Sequence, residues 1–439
     1  MSTLENKDQN GPFEPHIIPS RLAITAMRDA GYKNTAYALA ELIDNSQQAG
    51  ASLIEVLSFE NREIIKRRQR SRISEIAVLD NGKGMDSETL RMSLQFGNGR
   101  YLNDHSGIGR FGMGLPNSSI SQAGRVEVWT WQNGYENAIY SYLDIAEIES
   151  GGVTLVPQPE HSPVPDKWLK ISENDSRTGT LVVWSKLDFD RLTWKSARAT
   201  LEKTEELAGR IYRKFIIDES IRIRLFAQNE DDEILFDRDA FFNDPLYLTH
   251  STLVPKPFDI EPMFEHFALE SHEIEFDGAI HIVTVNYSVA KQKTVEAAGS
   301  NNRGDTPYGK HAKKNIGVSV MRAGRELTLD SGWRIIHDPR ERWWGAEVTF
   351  PPALDKLFGV TNNKQAATHF AELAATEWQQ FTEDDEDFMS VVNRLKDEGD
   401  PRGFLLELAD SIKRTLQQLR ERIKAQGTGL RSTRSTRHN

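Results

Sequence analysis

Three segments between Ala38 and Gly114, ALAELIDNSQQAGA, IAVLDNGKGM and SGIGRFGMGL, constrain this chain more than any other feature of its sequence. In the first, Ala38, Leu39, Leu42, Ile43 and Ala49 recur at helical spacing, and no proline or glycine interrupts them before Gly50, so the stretch reads as an amphipathic helix. Glu41 and Asn45 stand one turn apart and project from one face of it. A carboxylate beside a carboxamide suits a phosphate site. The carboxylate can polarise an attacking water, and the amide oxygen can ligate a magnesium ion whose other ligands are phosphates and waters. On a merely solvated helix the same pair has no chemistry, so the neighbouring segments decide.

In the second segment, Ile76 to Leu79 is an apolar run ending at Asp80, the pattern of a strand entering a turn. Gly82 and Gly84 alternate with Asn81 and Lys83, which lets the backbone take positive φ and a flat ligand approach closely. A carboxylate at a strand end can accept a hydrogen bond from an exocyclic amine such as that of adenine. In the third segment, Gly107, Gly109 and Gly112 match G-x-G-x-x-G. A dinucleotide-binding fold needs an apolar strand immediately before that motif. Here RYLNDHS, Arg100 to Ser106, precedes it, and the Rossmann reading fails. What remains is a glycine-rich loop running into a helix expected over Leu115 to Ala123, whose N–H groups can hold phosphates.

E-x-x-x-N, then D-x-G-x-G, then G-x-x-G-x-G resembles the GHKL ATPase superfamily, which includes the gyrase B subunit, MutL, heat-shock chaperone ATPases, histidine kinases and the MORC proteins. The wording ELIDNS, DNGKGM, GRFGMGLPNSS is most similar to the MORC and MutL branches. The resemblance implies Glu41 as general base, Asn45 as magnesium ligand and Asp80, with Gly82, Gly84 and Met85, at the adenine. It implies a phosphate lid formed by Gly107, Ile108, Gly109, Arg110, Phe111, Gly112, Met113 and Gly114. Gly179-Thr180 matches the family's G-T motif, whose Thr180 hydroxyl contacts adenine through water. Two positions depart from the pattern: Gln48 stands where MutL-like proteins carry Asp, and Pro116-Asn117 where many relatives have Lys.

The chain has 439 residues, enough for two or three domains, and no cysteine, which excludes disulfides and thiolate metal sites. No apolar run reaches membrane-span length, and MSTLENKDQNG lacks a signal peptide's apolar core. A soluble, cytoplasmic protein is expected, nuclear if eukaryotic, with no membrane partner. The formal charge of −11 argues against a uniformly DNA-coating surface. From Lys413 to Asn439, however, eight basic residues face one acidic, Glu421, so the remainder carries −11 − 7 = −18. Smaller basic clusters, Arg62 to Arg72 and Lys310, Lys313 and Lys314, are expected in loops. Each suits nucleic-acid phosphates as well as it suits water.

In chain order, residues 1–19 read as a polar arm with Ile17 and Ile18 as its anchor, a segment that in GHKL relatives crosses to a second subunit. Residues 20–238 form the expected ATP-binding domain: a helix over Ser20 to Ala30, strands near 52–59, 73–80, 125–131, 138–145, 153–157, 167–171 and 178–187, a helix near 86–96, and a long helix from Ser196 to Phe215. The elements are mixed rather than alternating. The expected class is therefore α+β, a GHKL-type α/β sandwich with a mainly antiparallel sheet and helices on one face. Residues 239–365 carry two expected hairpins, turning at Asp277-Gly278 and within Arg322 to Arg325. Followed by RWWGAEVTFPPALDKLFGVTNNKQ, they resemble the transducer domain of MORC and MutL-type ATPases. There a loop lysine reaches the γ-phosphate; Lys364, in Asn363-Lys364-Gln365, matches it. A helical segment, 366–426, follows an acidic connector at Glu383 to Asp387. Its stripe of Leu405, Leu408, Ile412, Leu416, Leu419 and Ile423 suits a coiled coil or packing on its own domain. Residues 427–439 read as a basic disordered tail.

The function implied is a slow, magnesium-dependent ATPase that pairs with a second copy on binding ATP and clamps a client. The client is double-stranded DNA without sequence preference on the MORC-like reading, and a protein on a chaperone-like or scaffold reading. A histidine kinase is not indicated, since His16 sits among prolines, and no topoisomerase cleavage domain is evident. The basic end leaves open that further domains follow.

Overall fold

The computed structural model describes residues 20–65, 67–97, 114–251, 253–361, 365–383 and 385–435. The N-terminal arm with Ile17 and Ile18, the lid residues Gly107 to Met113, and Lys364 lie outside the described residues.

The first module is built on an eight-stranded sheet in the order β5-β4-β3-β6-β2-β1-β7-β8. Its strands are β1 (Leu53–Ile65), β2 (Arg68–Asp80), β3 (Ala123–Trp131), β4 (Ile139–Asp144), β5 (Glu160–His161), β6 (Gly179–Leu187), β7 (Arg222–Asn229) and β8 (Ile234–Asp239). All neighbours are antiparallel except β1 and β7. Its helices are α1 (Ser20–Ala30), α2 (Thr35–Gln48), α3 (Ser87–Ser93), α4 (Gly114–Ile120), α5 (Ile145–Glu149), α6 (Asp166–Leu169), α7 (Ala197–Ile211) and α8 (Arg213–Ile217). Helices α2 and α7 lay Leu39, Ile43, Leu201 and Ala208 over one sheet face, against Val56, Val78 and Val182. The opposite face, carrying Leu57, Leu79, Trp131 and Val183, is covered by Val164, Trp168 and Ile171. Burial on both sides explains why Ile76 to Leu79 is continuously apolar instead of alternating.

Several expectations change. No strand forms over 153–157, where the chain is irregular before the two-residue strand β5. The expected strand at 167–171 is the short helix α6, launched by Pro165 and anchored by the fully buried Trp168. The helix expected from Ser196 to Phe215 breaks at Tyr212 (φ −102, ψ 15), whose ring turns into the core. After it, β7 and β8 add two strands to the sheet. The basic cluster at Arg62 to Arg72 is no loose loop. It forms the outer ends of β1 and β2, paired Arg62 to Ser71 and Glu63 to Arg70.

The second module is a five-stranded sheet in the order β12-β11-β13-β10-β9. Its strands are β9 (Phe264–Phe276), β10 (Ala279–Ala290), β11 (Val318–Arg322), β12 (Arg325–Asp330) and β13 (Trp344–Phe350). The β9–β10 hairpin turns at Asp277 and Gly278 with φ of 52 and 75, and the β11–β12 hairpin at Ala323 and Gly324 with φ of 50 and 81. Two consecutive positive φ values are what a two-residue hairpin turn requires. The helices are α9 (Lys293–Ala298), α10 (Pro307–Lys313), α11 (Asp355–Phe358), α12 (Thr368–Ala375), α13 (Phe388–Asp397) and α14 (Pro401–Ser435). Lys310 and Lys313 therefore lie on a helix, not a loop; Thr306 caps it by accepting from the Gly309 N–H. The stripe from Leu405 to Ile423 is wholly buried against Val283, Val285 and Val391, so it packs on its own sheet. Helix α14 runs to Ser435, so the stretch from Gly427 to Ser435, expected as part of a tail, continues this helix.

Candidate functional site

Helix α2 begins at Asn34, whose side chain accepts from the Tyr37 N–H at 3.1 Å. Its buried apolar residues Ala38, Leu39, Leu42 and Ile43 pack in the core of the first module, and Glu41, Asp44 and Asn45 stand on the same helix. Glu41 is buried and Asn45 half-buried. The Glu41 carboxylate lies directly against Gly114, the first residue of α4: a Cβ there would sit 2.2 Å from Glu41 Oε1. The first and third motifs thus meet at one point, where any side chain larger than glycine displaces the Glu41 carboxylate.

Asp80 ends β2 one strand inward. Its Oδ1 accepts from the Gly82 N–H and its Oδ2 from the Ser46 hydroxyl, both at 2.8 Å. Burial pushes its carboxyl up to about 6, against the pull of those two donors. Asp80 pairs in register with Thr180 on β6. The Thr180 hydroxyl is 3.1 Å from that of Thr130, which accepts from the Met85 N–H at 2.8 Å. Asn174 donates to the Asp80 carbonyl at 2.9 Å. The polar floor so formed joins Asp80, Gly82, Met85 and Thr180.

Gly82, Gly84 and Gly179 each also relieve a close approach within the fold. Gly84 does take positive φ, +66, but it does so beneath Trp131, whose carbonyl oxygen would be 2.2 Å from an added Cβ. Gly82 is needed because Ala49 approaches it, with 2.7 Å from its methyl to an added Cβ. Gly179 lies under the Asp80 carbonyl at 2.3 Å on the same measure. Gln48 is exposed and Pro116 buried within α4.

On the far side of α2, Lys33 donates from its amine to the Gln365 carbonyl at 2.9 Å, so the residue following Lys364 abuts the start of the Glu41 helix. Sequence reasoning gave no role to Ser46, Thr130, Asn174, Asp44, Tyr212 or Arg325. Asp44 and Ser46 were visible inside ELIDNS; the others come from distant strands and helices, and nothing in the local pattern marks them.

A carboxylate at the start of α4, a second carboxyl at a strand end and a threonine shelf thus meet in one α/β sandwich. Residues 32–178, about a third of the chain, match the family described as histidine kinase-, DNA gyrase B-, and HSP90-like ATPase, and over that stretch the chain is similar to the GHKL ATPases. Its sequence is MORC-like: it is 29% identical over 163 residues to Protein MICRORCHIDIA 5 of Arabidopsis thaliana, covering 34% of this chain and 22% of that protein. The match thus spans about a fifth of that relative's length. Among solved structures, the N-terminal domain of a DNA repair protein aligns with a TM-score of 0.45 at 13% identity, covering 80% of this chain and 95% of that one.

Proposed function

We propose that the chain binds ATP with magnesium, hydrolyses it, and uses the cycle to pair two copies around DNA. The observation that carries this reading is the meeting of Glu41, Gly114 and the Asp80 floor at one end of the sheet. Adenine rests on Asp80 and Thr180, with Gly82, Gly84 and Met85 shaping the floor. Asn45 offers one neutral amide oxygen, a donor suited to an ion that keeps phosphate and water ligands; magnesium, when bound, neutralises phosphate charge. Glu41 takes the proton of the attacking water as the oxygen forms its bond to the γ-phosphorus and the bond to ADP breaks. Lys364 and the lid N–H groups from Gly107 to Gly114 offset the charge that develops on the transferred group. Reopening after hydrolysis sets a slow rate.

Exposed Arg67, Arg68 and Arg70 at the β1–β2 hairpin end, and the basic end of α14, favour DNA as the client. One observation favours a protein client instead. Leu269, Ile280 and Ile282 are all exposed on β9 and β10, and they share one sheet face by register.

Glu41→Ala tests the reading. ATP hydrolysis should fall at least a hundredfold while ATP still binds, and light scattering with ATP and magnesium should report a trapped dimer. Normal hydrolysis by this variant would overturn Glu41 as the base.

A further inference from the structure

Between Glu41 and Asn45 on α2 lies Asp44, a carboxylate with no exposure to solvent. Its Oδ1 receives the Arg325 Nε at 2.7 Å and lies 2.8 Å from the Tyr212 hydroxyl, which is itself 2.7 Å from the Ala40 carbonyl. Arg325 belongs to the second module, as the first residue of β12. It is buried too, and its Nη1 donates to the Glu326 carbonyl at 2.9 Å. An arginine from the second module's sheet thus inserts against α2, the helix that carries the proposed general base.

The seat of that arginine is firm. The tight turn at Ala323 and Gly324 presses against Phe215 of α8, 3.1 Å from where a Cβ on Gly324 would stand. The next residue, Glu326, is gripped by Arg210 Nε at 2.6 Å, Arg213 Nη1 at 2.8 Å and the Ser319 hydroxyl at 2.7 Å. Arg213 also reaches Glu347 on β13 at 2.6 Å. These pairs already fasten the two sheets together. Arg325 points past them, onto the helix that carries the chemistry.

We propose that Arg325 is a positioning residue for ATP hydrolysis, acting through Asp44 to fix the rotation of α2 and hence the pose of Glu41 and Asn45. The proposal rests on the ATPase reading above. Asp44 precedes Asn45 directly and follows Glu41 by three residues, so a small turn of the helix about Asp44 moves both functional groups at once. Displacements of about 1 Å at such groups cost up to about a hundredfold in rate. The second module therefore completes the site through a buried ion pair, independently of the Lys364 loop. A shift of the β11–β12 hairpin on closure would be felt at Glu41. The Nε–carboxylate geometry suits arginine, whose planar donor set a lysine reproduces only in charge.

The experiment measures kcat and the dissociation constant of a fluorescent ATP analogue with magnesium. It uses full-length wild type, Glu41→Ala, Arg325→Met, Arg325→Lys, Asp44→Asn and the double variant Asp44→Asn with Arg325→Met. The expected result for Arg325→Met is a kcat at least tenfold below wild type, with the dissociation constant within threefold. Arg325→Lys should fall between the two, and the double variant should be no slower than the slower single one. If Arg325→Met fails to fold, Arg325→Lys, which keeps the buried charge, carries the comparison against Asp44→Asn. A kcat within twofold of wild type for the folded Arg325 variants, alongside an inactive Glu41→Ala, overturns the proposal and leaves the ATPase reading intact. Losses that multiply in the double variant also overturn it. An inactive wild type removes the ATPase reading and the proposal with it.

Discussion

Asp80 shows how a single buried group sets terms for the whole site. Its carboxyl is held at about 6 by burial, against an ordinary value of 3.8. A carboxyl raised on folding contributes stability that is complete below its unfolded value and is lost as pH rises through its folded one. The cost of ionising it in the unliganded protein is on the order of 3 kcal/mol, for a shift of about two units at 1.36 kcal/mol each. Asp80→Asn lacks this titration. Between pH 4 and 7.5, denaturant unfolding without nucleotide should shift in favour of Asp80→Asn relative to wild type, by up to that amount. ATP affinity should move oppositely: wild type binds more tightly above pH 6, where the acceptor for the adenine amine is ionised, and Asp80→Asn shows no such rise. A pH-independent difference would remove the buried titration. At Gly114 the constraint is steric. Gly114→Ala drives a methyl to within 2.2 Å of Glu41 Oε1, so hydrolysis should fall tenfold or more. The melting temperature should change by only a few degrees, since the flexible carboxylate moves aside.

At the scale of elements, the clearest lesson concerns α14. Its 3.6-residue stripe was plain in the sequence, yet the stripe alone does not say which partner covers it. The answer lies in Val283, Val285 and Val391, more than a hundred residues away in the first two cases. Arg420, buried and 2.7 Å from Glu341, adds an ion pair to the same face. Ile412→Ala should therefore cost about 2–5 kcal/mol, read as a lowered unfolding midpoint. A truncation after Ile412 should unfold the second module, because it strips Leu416, Leu419 and Ile423 from the core. A truncation after Gln426 should leave stability unchanged. The likeness to the ATPase family over residues 32–178 was legible because it rests on short motifs whose turn chemistry is local. The Asp44–Arg325 contact spans 281 positions, and no local periodicity encodes it. Strands were misread where length was insufficient: 167–171 has the apolar content of a strand, but Pro165 and the buried Trp168 make it one turn of helix.

For the molecule as a whole, charge distribution decides what the proposed closed pair of chains would hold. The body is acidic, with −18 outside the last 27 residues, so any DNA contact must be confined to basic projections. The β1–β2 hairpin end is one such projection: Arg67, Arg68 and Arg70 are exposed there, whereas Arg62 is paired with Asp231 at 2.8 Å and Arg72 stacks over Phe189. Each phosphate neutralised contributes about −0.9 to the slope of log affinity against log salt on duplex DNA. Replacing Arg67, Arg68 and Arg70 with serine should therefore flatten that slope by up to about 3 and leave ATP hydrolysis without DNA unchanged. A clamp adds a second signature that contact strength alone does not produce. On the Glu41→Ala background with ATP, closed-circular DNA should survive a high-salt wash, whereas the same DNA made linear should slide free. Retention of neither form, with a nucleotide-dependent dimer still seen by light scattering, would turn attention to the exposed Leu269, Ile280 and Ile282 face and a protein client. Equal retention of both forms would mean simple phosphate binding, with no closed ring.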